Sequence, residues 1–176
     1  DMARGVCHVG HVPYEDVYFS SRYLEGAILV YLKNLDIVAP NKPPRVVKED
    51  GDKFTGAYVQ SPQRGKHDWV FDLDITSMYP SVIMSLNVSP ETKMGKIKGW
   101  NVEEFMRGDK KTYTLMTGES EMGKLTETEL KDFFDNNKVS VSSNGVMYRS
   151  DKKGLIPALL EKWFDTRVEY RKLMKK

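Results

Sequence analysis

The stretch WVFDLDITSMYPSVI, residues 69–83, decides the fold. Its first seven residues place large apolar side chains at every odd position, and side chains alternate between the two faces of a strand. This pattern predicts a β-strand over 69–75 with one core face. Pro80 follows where a helix should begin, because proline is tolerated in the first helical turn, and 81–87 continues that helix. The stretch therefore predicts a strand, a turn and a helix.

Two carboxylates share the polar face of the predicted strand. Asp72 and Asp74 would repel each other unless water or a cation separates them. Asp74 also immediately precedes the turn, where the N–H groups of a helix start favour phosphate. Mg²⁺ takes oxygen ligands and phosphate oxygens together, so this corner is a candidate metal and phosphate site. The alternative is a solvent-facing strand edge that carries two acids.

Length and composition limit the class of protein. The chain has 176 residues and 20.2 kDa, which is enough for a core, and it has no apolar run of the ~18 residues that a membrane span needs. Cys7 is the single cysteine, which excludes an intrachain disulfide and permits a cytosolic setting. Residues 101–135 carry nine acidic and five basic side chains, whereas 152–176 carry eight basic and three acidic ones. This asymmetry suits a polyanion on one side, or else two solvated helix faces.

The rest of the chain has both helical and strand periodicity, so we expect an α+β fold. We predict a helix over 14–35, with Ser20 or Ser21 as the cap of its main portion, a connector over 39–66 with a short strand at 54–59, and a turn over 87–92. We also predict two short amphipathic helices within 100–135, a hairpin over 139–154 with Asn144-Gly145 or the SDKKG stretch at 150–154 as turns, and a long helix from 155 to 176.

Two arginines of the last predicted helix lie along its apolar stripe. On a helical wheel, Arg167 and Arg171 fall beside Ile156 and Trp163, while the acids and most lysines point away. Burying an unpaired guanidinium costs several kcal/mol. Either the stripe opens onto a cleft that holds an anion, or each arginine meets a carboxylate such as Asp72. The four-residue spacing would let both guanidinium groups grip one polyphosphate.

The segment from Asp74 to Ile83 closely resembles motif A of the family B DNA polymerases, D-x-x-S-L-Y-P-S-I-I, with Met78 for Leu and Val82 for Ile. FTGA at 54–57 is similar to the family's template-contacting Y-x-G-G/A motif. The run 87–92, NVSPET, is most similar to the phage-type members. The resemblance implies a partial polymerase palm with an antiparallel sheet and packed helices. Its implied domains are the tail of the exonuclease region (1–45), a connector with the template-contact motif (46–68), a palm part with an inserted acidic helical segment (69–154), and the start of the fingers helix (155–176).

The resemblance also implies a function, namely deoxynucleotidyl transfer to a primer 3′ end by two-metal catalysis. Two Mg²⁺ ions would be held by Asp74, the carbonyl of Ile75 and a second carboxylate outside this chain. The triphosphate would meet the N–H groups of Ser77, Met78 and Tyr79, and the side chains of Arg167 and Arg171. The Tyr79 ring would exclude a ribose 2′-hydroxyl, and template DNA would contact Phe54, Gly56 and Ala57.

The sequence lacks the family's D-T-D and K-x-x-x-N-S-x-Y-G motifs. We therefore expect a slice of a polymerase that is inactive alone, with the remainder of the polymerase, primer-template DNA and dNTP as partners. We expect no membrane association and a cytoplasmic location, that of the host if the protein is viral. The alternatives are a non-catalytic nucleic-acid-binding module derived from a palm, and a metal-dependent phosphohydrolase that uses Asp72 and Asp74 as a pair.

Overall fold

The structure is a computed structural model that describes residues 1–41 and 56–175. The chain divides into two compact units, Asp1–Asp74 and Ile75–Lys176. Within the described residues there are six α-helices and one antiparallel sheet of five strands. The predicted α+β class is confirmed.

The first unit contains two helices that pack against each other. Helix α1 (Met2–Gly10), which the sequence analysis did not predict, and helix α2 (Ser20–Lys33) approach closely at Gly10, where a Cβ atom would collide with Tyr23. Helix α2 confirms most of the helix predicted over 14–35, although a separate 3₁₀ turn, Tyr14–Asp16, precedes it. The predicted serine caps are wrong, because both serines lie inside the helix and Phe19 occupies the N-cap without a side-chain hydrogen bond.

The predicted strand over 69–75 is wrong, and the segment has no regular secondary structure. Its intended core face lies open to solvent, with Trp69 93 % and Leu73 90 % exposed. A strand needs a neighbour for its backbone hydrogen bonds, but the five strands of the described residues pair only among themselves, in the second unit. The strand predicted at 54–59 is also wrong where it can be judged: 56–59 is exposed and irregular, and the rest lies outside the described residues.

The second unit begins with a turn into helix α3 (Met78–Ser85), which starts two residues before Pro80 and ends earlier than the predicted 87. The predicted turn over 87–92 contains a 3₁₀ turn, Pro90–Thr92. The elements that follow are β1 (Lys93–Lys98), α4 (Val102–Arg107), β2 (Thr112–Thr117), β3 (Ser120–Thr126), α5 (Glu127–Asn137), β4 (Val139–Val141), β5 (Val146–Arg149) and α6 (Leu155–Leu173).

The sheet has the strand order β3-β2-β1-β5-β4. The hairpin predicted over 139–154 is confirmed as β4 and β5, and its turn uses Gly145 at a φ of 82° against the side chain of Trp100. The two short helices predicted within 100–135 are confirmed as α4 and α5. The hairpin of β2 and β3 between them was missed. Strand β2 does place Tyr113 and Leu115 at alternate positions, but β3 is almost wholly exposed and has no apolar period that would mark it as a partner strand.

One face of the sheet carries the core of this unit. Helix α5 contacts strands β2, β3 and β4, and the ring of Phe105, on α4, packs against Trp100 with the ring planes tilted by 42° and the centroids 4.9 Å apart. Burial of this apolar surface is the main force that holds the sheet to its helices. The core residues, each at most 5 % exposed, are Ile97, Tyr113, Leu115, Leu130 and Met147.

Candidate nucleotide-binding site at the start of helix α3

The turn before helix α3 has a left-handed backbone at Ser77, with φ 51° and ψ 51°. This conformation is uncommon for a residue with a side chain and persists only where neighbouring contacts hold it. Two contacts do so here: the Ser81 N–H donates to the Ser77 carbonyl at 3.0 Å, and the Ser81 hydroxyl donates to the Thr76 carbonyl at 3.1 Å. The turn is therefore fixed by serines of the stretch that resembles motif A.

The first residues of helix α3 present free backbone donors. Met78 and Tyr79 occupy the first two helical positions, where an N–H has no acceptor within the helix. Pro80 comes next and has no N–H to offer. Tyr79 is 74 % exposed, so its ring is not packed in the core of this chain. The helix start thus combines two outward N–H groups with an exposed aromatic ring.

Helix α6 brings an arginine to this turn. An Nη atom of Arg167 donates to the hydroxyl of Ser77 at 3.2 Å, although the two residues are 90 positions apart. Helices α3 and α6 contact each other directly. Two residues that the sequence analysis selected for different reasons are therefore neighbours in space. Arg171 lies one helical turn further along α6 and is exposed.

The arginine side chains are not buried as the helical wheel implied. Only the first half of the apolar stripe is covered, and beyond it Tyr170 is 60 % and Met174 is 86 % exposed. Among the described residues of the second unit, neither Arg167 nor Arg171 forms an ion pair, and the alternative of a partner in the first unit such as Asp72 stays a prediction. Both cations remain available to an anion.

The proposed metal ligands are exposed. Asp74 is the last residue of the first unit, and Ile75, at 65 % exposure, is the first of the second. Carboxylate and carbonyl oxygens suit Mg²⁺. Within the part of the chain that the structure describes, no cluster of three or more histidine, cysteine, aspartate or glutamate side chains could hold a metal ion. The structure thus offers one carboxylate and one carbonyl, not a complete site.

The residues predicted to contact template DNA can be judged only in part. Phe54 lies outside the described residues. Gly56 and Ala57 are exposed, and a Cβ atom at Gly56 would meet nothing within 4 Å. The backbone at this glycine is open to close approach by a ligand.

A buried polar cluster, which the sequence analysis missed, joins the end of helix α3 to the start of α6. The Asn87 side chain, in a residue only 7 % exposed, donates to the carbonyls of Arg149 at 2.6 Å and Lys152 at 2.9 Å. Its oxygen accepts from the Gly154 N–H at 2.8 Å. In all three hydrogen bonds the partner lies more than 60 positions away in sequence, so no local sequence pattern could have predicted them.

The adjacent 3₁₀ turn binds the first residue of α6. Glu91 accepts from the N–H of Leu155, and Ser89 and Thr92 form a reciprocal capping box, each 2 % exposed. Partial burial alone would raise the pKa of Glu91, but hydrogen bonds from Leu155, its own backbone and Ser89, with the nearby Lys152 charge, together lower that pKa. This carboxylate therefore stays ionised and holds the base of α6, the helix that carries Arg167.

The turn at Ser77 therefore places the N–H groups of a helix start beside the guanidinium of Arg167, an arrangement that suits a phosphate group. The model of DNA polymerase family B matches residues 18–176, and the chain belongs to that family. The family resemblance of the sequence is confirmed.

Individual relatives include phage and archaeal enzymes. The DNA-directed DNA polymerase of Enterobacteria phage T4 is 26 % identical over 174 residues, which is 99 % of this chain and 16 % of the relative. That of Escherichia phage RB69 is 28 % identical over 121 residues, 69 % of this chain and 11 % of the relative. The DNA polymerase of Archaeoglobus fulgidus is 36 % identical over 83 residues, 46 % of this chain and 10 % of the relative. The chain thus spans no more than a sixth of these relatives.

Proposed function

We propose that this chain is the nucleotide-binding portion of a template-directed DNA polymerase that transfers a deoxynucleotidyl group to a primer 3′ end. The observation that carries the proposal is the hydrogen bond from Arg167 to Ser77 at the start of helix α3. It places a cation that has no carboxylate partner among the described residues of its unit beside the N–H groups of a helix start, and these two features together suit the phosphates of a nucleotide.

The triphosphate would exchange partners with groups already in place. Phosphate oxygens would accept from the N–H groups of Ser77, Met78 and Tyr79, and Arg167 would turn its guanidinium from the serine hydroxyl to a phosphate. Arg171, four residues on, lies about 6 Å away along the same helix face and would contact a neighbouring phosphate. The Tyr79 ring would lie beneath the sugar.

Asp74 and the Ile75 carbonyl would hold the catalytic Mg²⁺ ions, and the remainder of the polymerase would supply the second carboxylate. When bound, the two ions lower the cost of negative charge on the attacking 3′-oxygen and on the leaving pyrophosphate. Asp74 lies three residues before Ser77, so one short segment would bind both the metal ions and the phosphates. Because the second carboxylate would come from the remainder of the polymerase, we expect this chain alone to be inactive.

The remaining assignments follow the same proposal. Primer-template DNA would contact Phe54, Gly56 and Ala57, and dNTP would bind the turn before α3. Residues 1–45 would be the tail of the exonuclease region, 46–68 the connector, 69–154 the palm part and 155–176 the start of the fingers. None of the helices in the described residues has the length and apolar character of a membrane span. We propose a cytoplasmic location, in the host if the protein is viral.

Arg167→Ala in the full-length polymerase is expected to raise the KM for dNTP by about 10- to 100-fold with a smaller change in kcat. A hydrogen bond to a charged group contributes about 1.5–3 kcal/mol, which corresponds to that range. Steady-state primer extension measures both constants. Arg107→Ala is a matched control, because Arg107 is exposed and its one ion pair among the described residues is with Glu103, on the same helix. An unchanged KM in the Arg167 variant would refute the phosphate-binding role.

Tyr79→Ala is expected to admit ribonucleotides, lowering the preference for dNTP over rNTP by at least about tenfold, or 1.4 kcal/mol. The side chain is 74 % exposed, so its loss removes bulk from the nucleotide surface with little effect on folding. Competitive incorporation of dNTP and rNTP measures the preference. Tyr18→Ala, at a tyrosine 88 % exposed in the first unit, should leave it unchanged. Equal sugar discrimination in both variants would contradict the steric role.

A further inference from the structure

The five-stranded sheet has one face covered by helices and one that is open. The face with Ile97 and Tyr113 packs against α4 and α5. The opposite surface of β1, β2 and β3, here called the outer face, carries exposed or half-exposed side chains. Its border at β4 is set by the end of α3, where the Ser140 hydroxyl donates to the Leu86 carbonyl at 2.6 Å.

A β-bulge puts three lysines of β1 on the outer face. Lys96 and Lys98 are two residues apart and both are exposed, so they share a face. By sequence spacing Lys93 would point to the opposite side. The register shifts between Lys93 and Gly95, however, so that Lys93 pairs with Tyr148 while Lys96 pairs with Val146. Because these partners are two residues apart on β5, all three lysines project from one face.

Strand β3 adds a fourth lysine to this surface. Lys98 and Lys124 are the two cross-strand neighbours of Thr114, so the three residues form one row across β1, β2 and β3. A second register shift, between Leu115 and Met116, brings Glu121 to the outer face opposite Met116. The outer face therefore carries four lysines against one glutamate.

The four lysines are not paired with the one glutamate that shares their face. Among the described residues none of them forms an ion pair. The helices on the covered side have the opposite charge. They carry two basic side chains, Arg107 and Lys131, and six acidic ones, Glu103, Glu104, Glu127, Glu129, Asp132 and Asp135. The unit is thus polarised across its sheet, with the positive potential on the side that is not packed.

We propose that the outer face of β1–β2–β3 is a second nucleic-acid contact, which binds the sugar–phosphate backbone of DNA without reading its sequence. Lysines two positions apart on a strand are about 6.6 Å apart, and those two strands apart are about 9.6 Å apart, so one backbone can meet several at once. Thr114 places a hydroxyl between two of them. Membership of a DNA polymerase family favours DNA over an acidic protein as the polyanion. The proposal concerns no residue of the nucleotide site and goes beyond the proposed function.

The test measures binding of a fluorescent 20-nucleotide oligo(dT) and a 20-base-pair duplex to this 176-residue chain by anisotropy, at several salt concentrations. The variant is K93Q/K96Q/K98Q/K124Q. A matched control, K111Q/K138Q/K162Q/K175Q, removes the same charge from exposed lysines outside the outer face. Circular dichroism verifies that both variants fold. Competition with polyglutamate distinguishes binding that is particular to DNA from binding of any polyanion.

We expect the outer-face variant to bind oligo(dT) at least tenfold more weakly than the wild-type chain at 50 mM salt, with the control within threefold. The slope of log K against log[salt] should become less steep by about 3, since each phosphate contact to a single strand contributes about 0.7. Three results would each overturn the proposal. The two variants could lose affinity equally, the outer-face variant could bind oligo(dT) as tightly as the wild-type chain, or polyglutamate of equal charge could displace the oligo(dT). None of these results depends on polymerase activity. A failure of this proposal can therefore be distinguished from a failure of the proposed function.

Discussion

The full-length polymerase with Asp74→Ala is expected to lose primer extension by at least about 10³-fold, equal to about 4 kcal/mol of transition-state stabilisation. The reason is that Asp74 would be one of only two carboxylates that hold the catalytic Mg²⁺ ions, and its loss leaves developing charge on both reacting oxygens uncompensated. DNA binding should be retained, because the phosphate backbone is held by other groups. Single-turnover extension and an anisotropy titration measure the two properties.

Asp72→Ala is the matched control for this experiment. Asp72 is exposed, lies two residues before Asp74 and is not a specified position of the motif A pattern. We expect its extension rate to stay within about threefold of the wild type, or 0.7 kcal/mol. Equal losses in the two variants would instead support a pair of acids that act together, as in the phosphohydrolase alternative. Extension by the Asp74 variant at the wild-type rate would contradict the metal-ligand role.

Asn87→Ala is expected to lower the free energy of unfolding of this chain by about 2–4 kcal/mol. The side chain is buried and makes three hydrogen bonds, so truncation leaves two carbonyls and one N–H without partners. Chemical denaturation followed by circular dichroism measures the change. Asn136→Ala is the matched control, because Asn136 is exposed and its side chain forms no hydrogen bond among the described residues.

A second variant distinguishes the contribution of the Asn87 side chain from that of its backbone conformation. Asn87 has a φ of 56°, which glycine adopts without strain. If the hydrogen bonds matter, Asn87→Gly should destabilise nearly as much as Asn87→Ala. A glycine variant as stable as the wild type would show that the residue serves only its backbone conformation.

The sequence was informative wherever the decisive interactions are local. The hairpin at Asn144-Gly145 follows from turn residues, and α6 follows from its apolar period. The prediction for 69–75 failed because alternation states which side chains share a face, not which strand lies beside them. Within the described residues no strand pairs with this segment, and the same alternating side chains stay exposed.

Parts of the site depend on contacts that sequence spacing cannot reveal. The motif A resemblance identified Ser77, and the helical wheel identified Arg167, but only the packing of α6 against α3 joins them. The buried role of Asn87 rests on partners more than 60 positions away. Charge counts over 101–135 indicated an acidic segment, whereas strand pairing places Lys124 of that segment in one row with Lys98, on the sheet face opposite to the acidic helices α4 and α5. Register, rather than composition, produced that surface.

We propose that Asp74 holds a catalytic metal ion beside the candidate phosphate-binding turn before α3. The most direct measurement is a crystal structure of the full-length polymerase with primer-template DNA, dNTP and Mg²⁺. We predict an Asp74 carboxylate oxygen at about 2.1 Å from a Mg²⁺ ion that also binds the triphosphate. A carboxylate that points into solvent, with the ion and nucleotide bound elsewhere, would contradict the account.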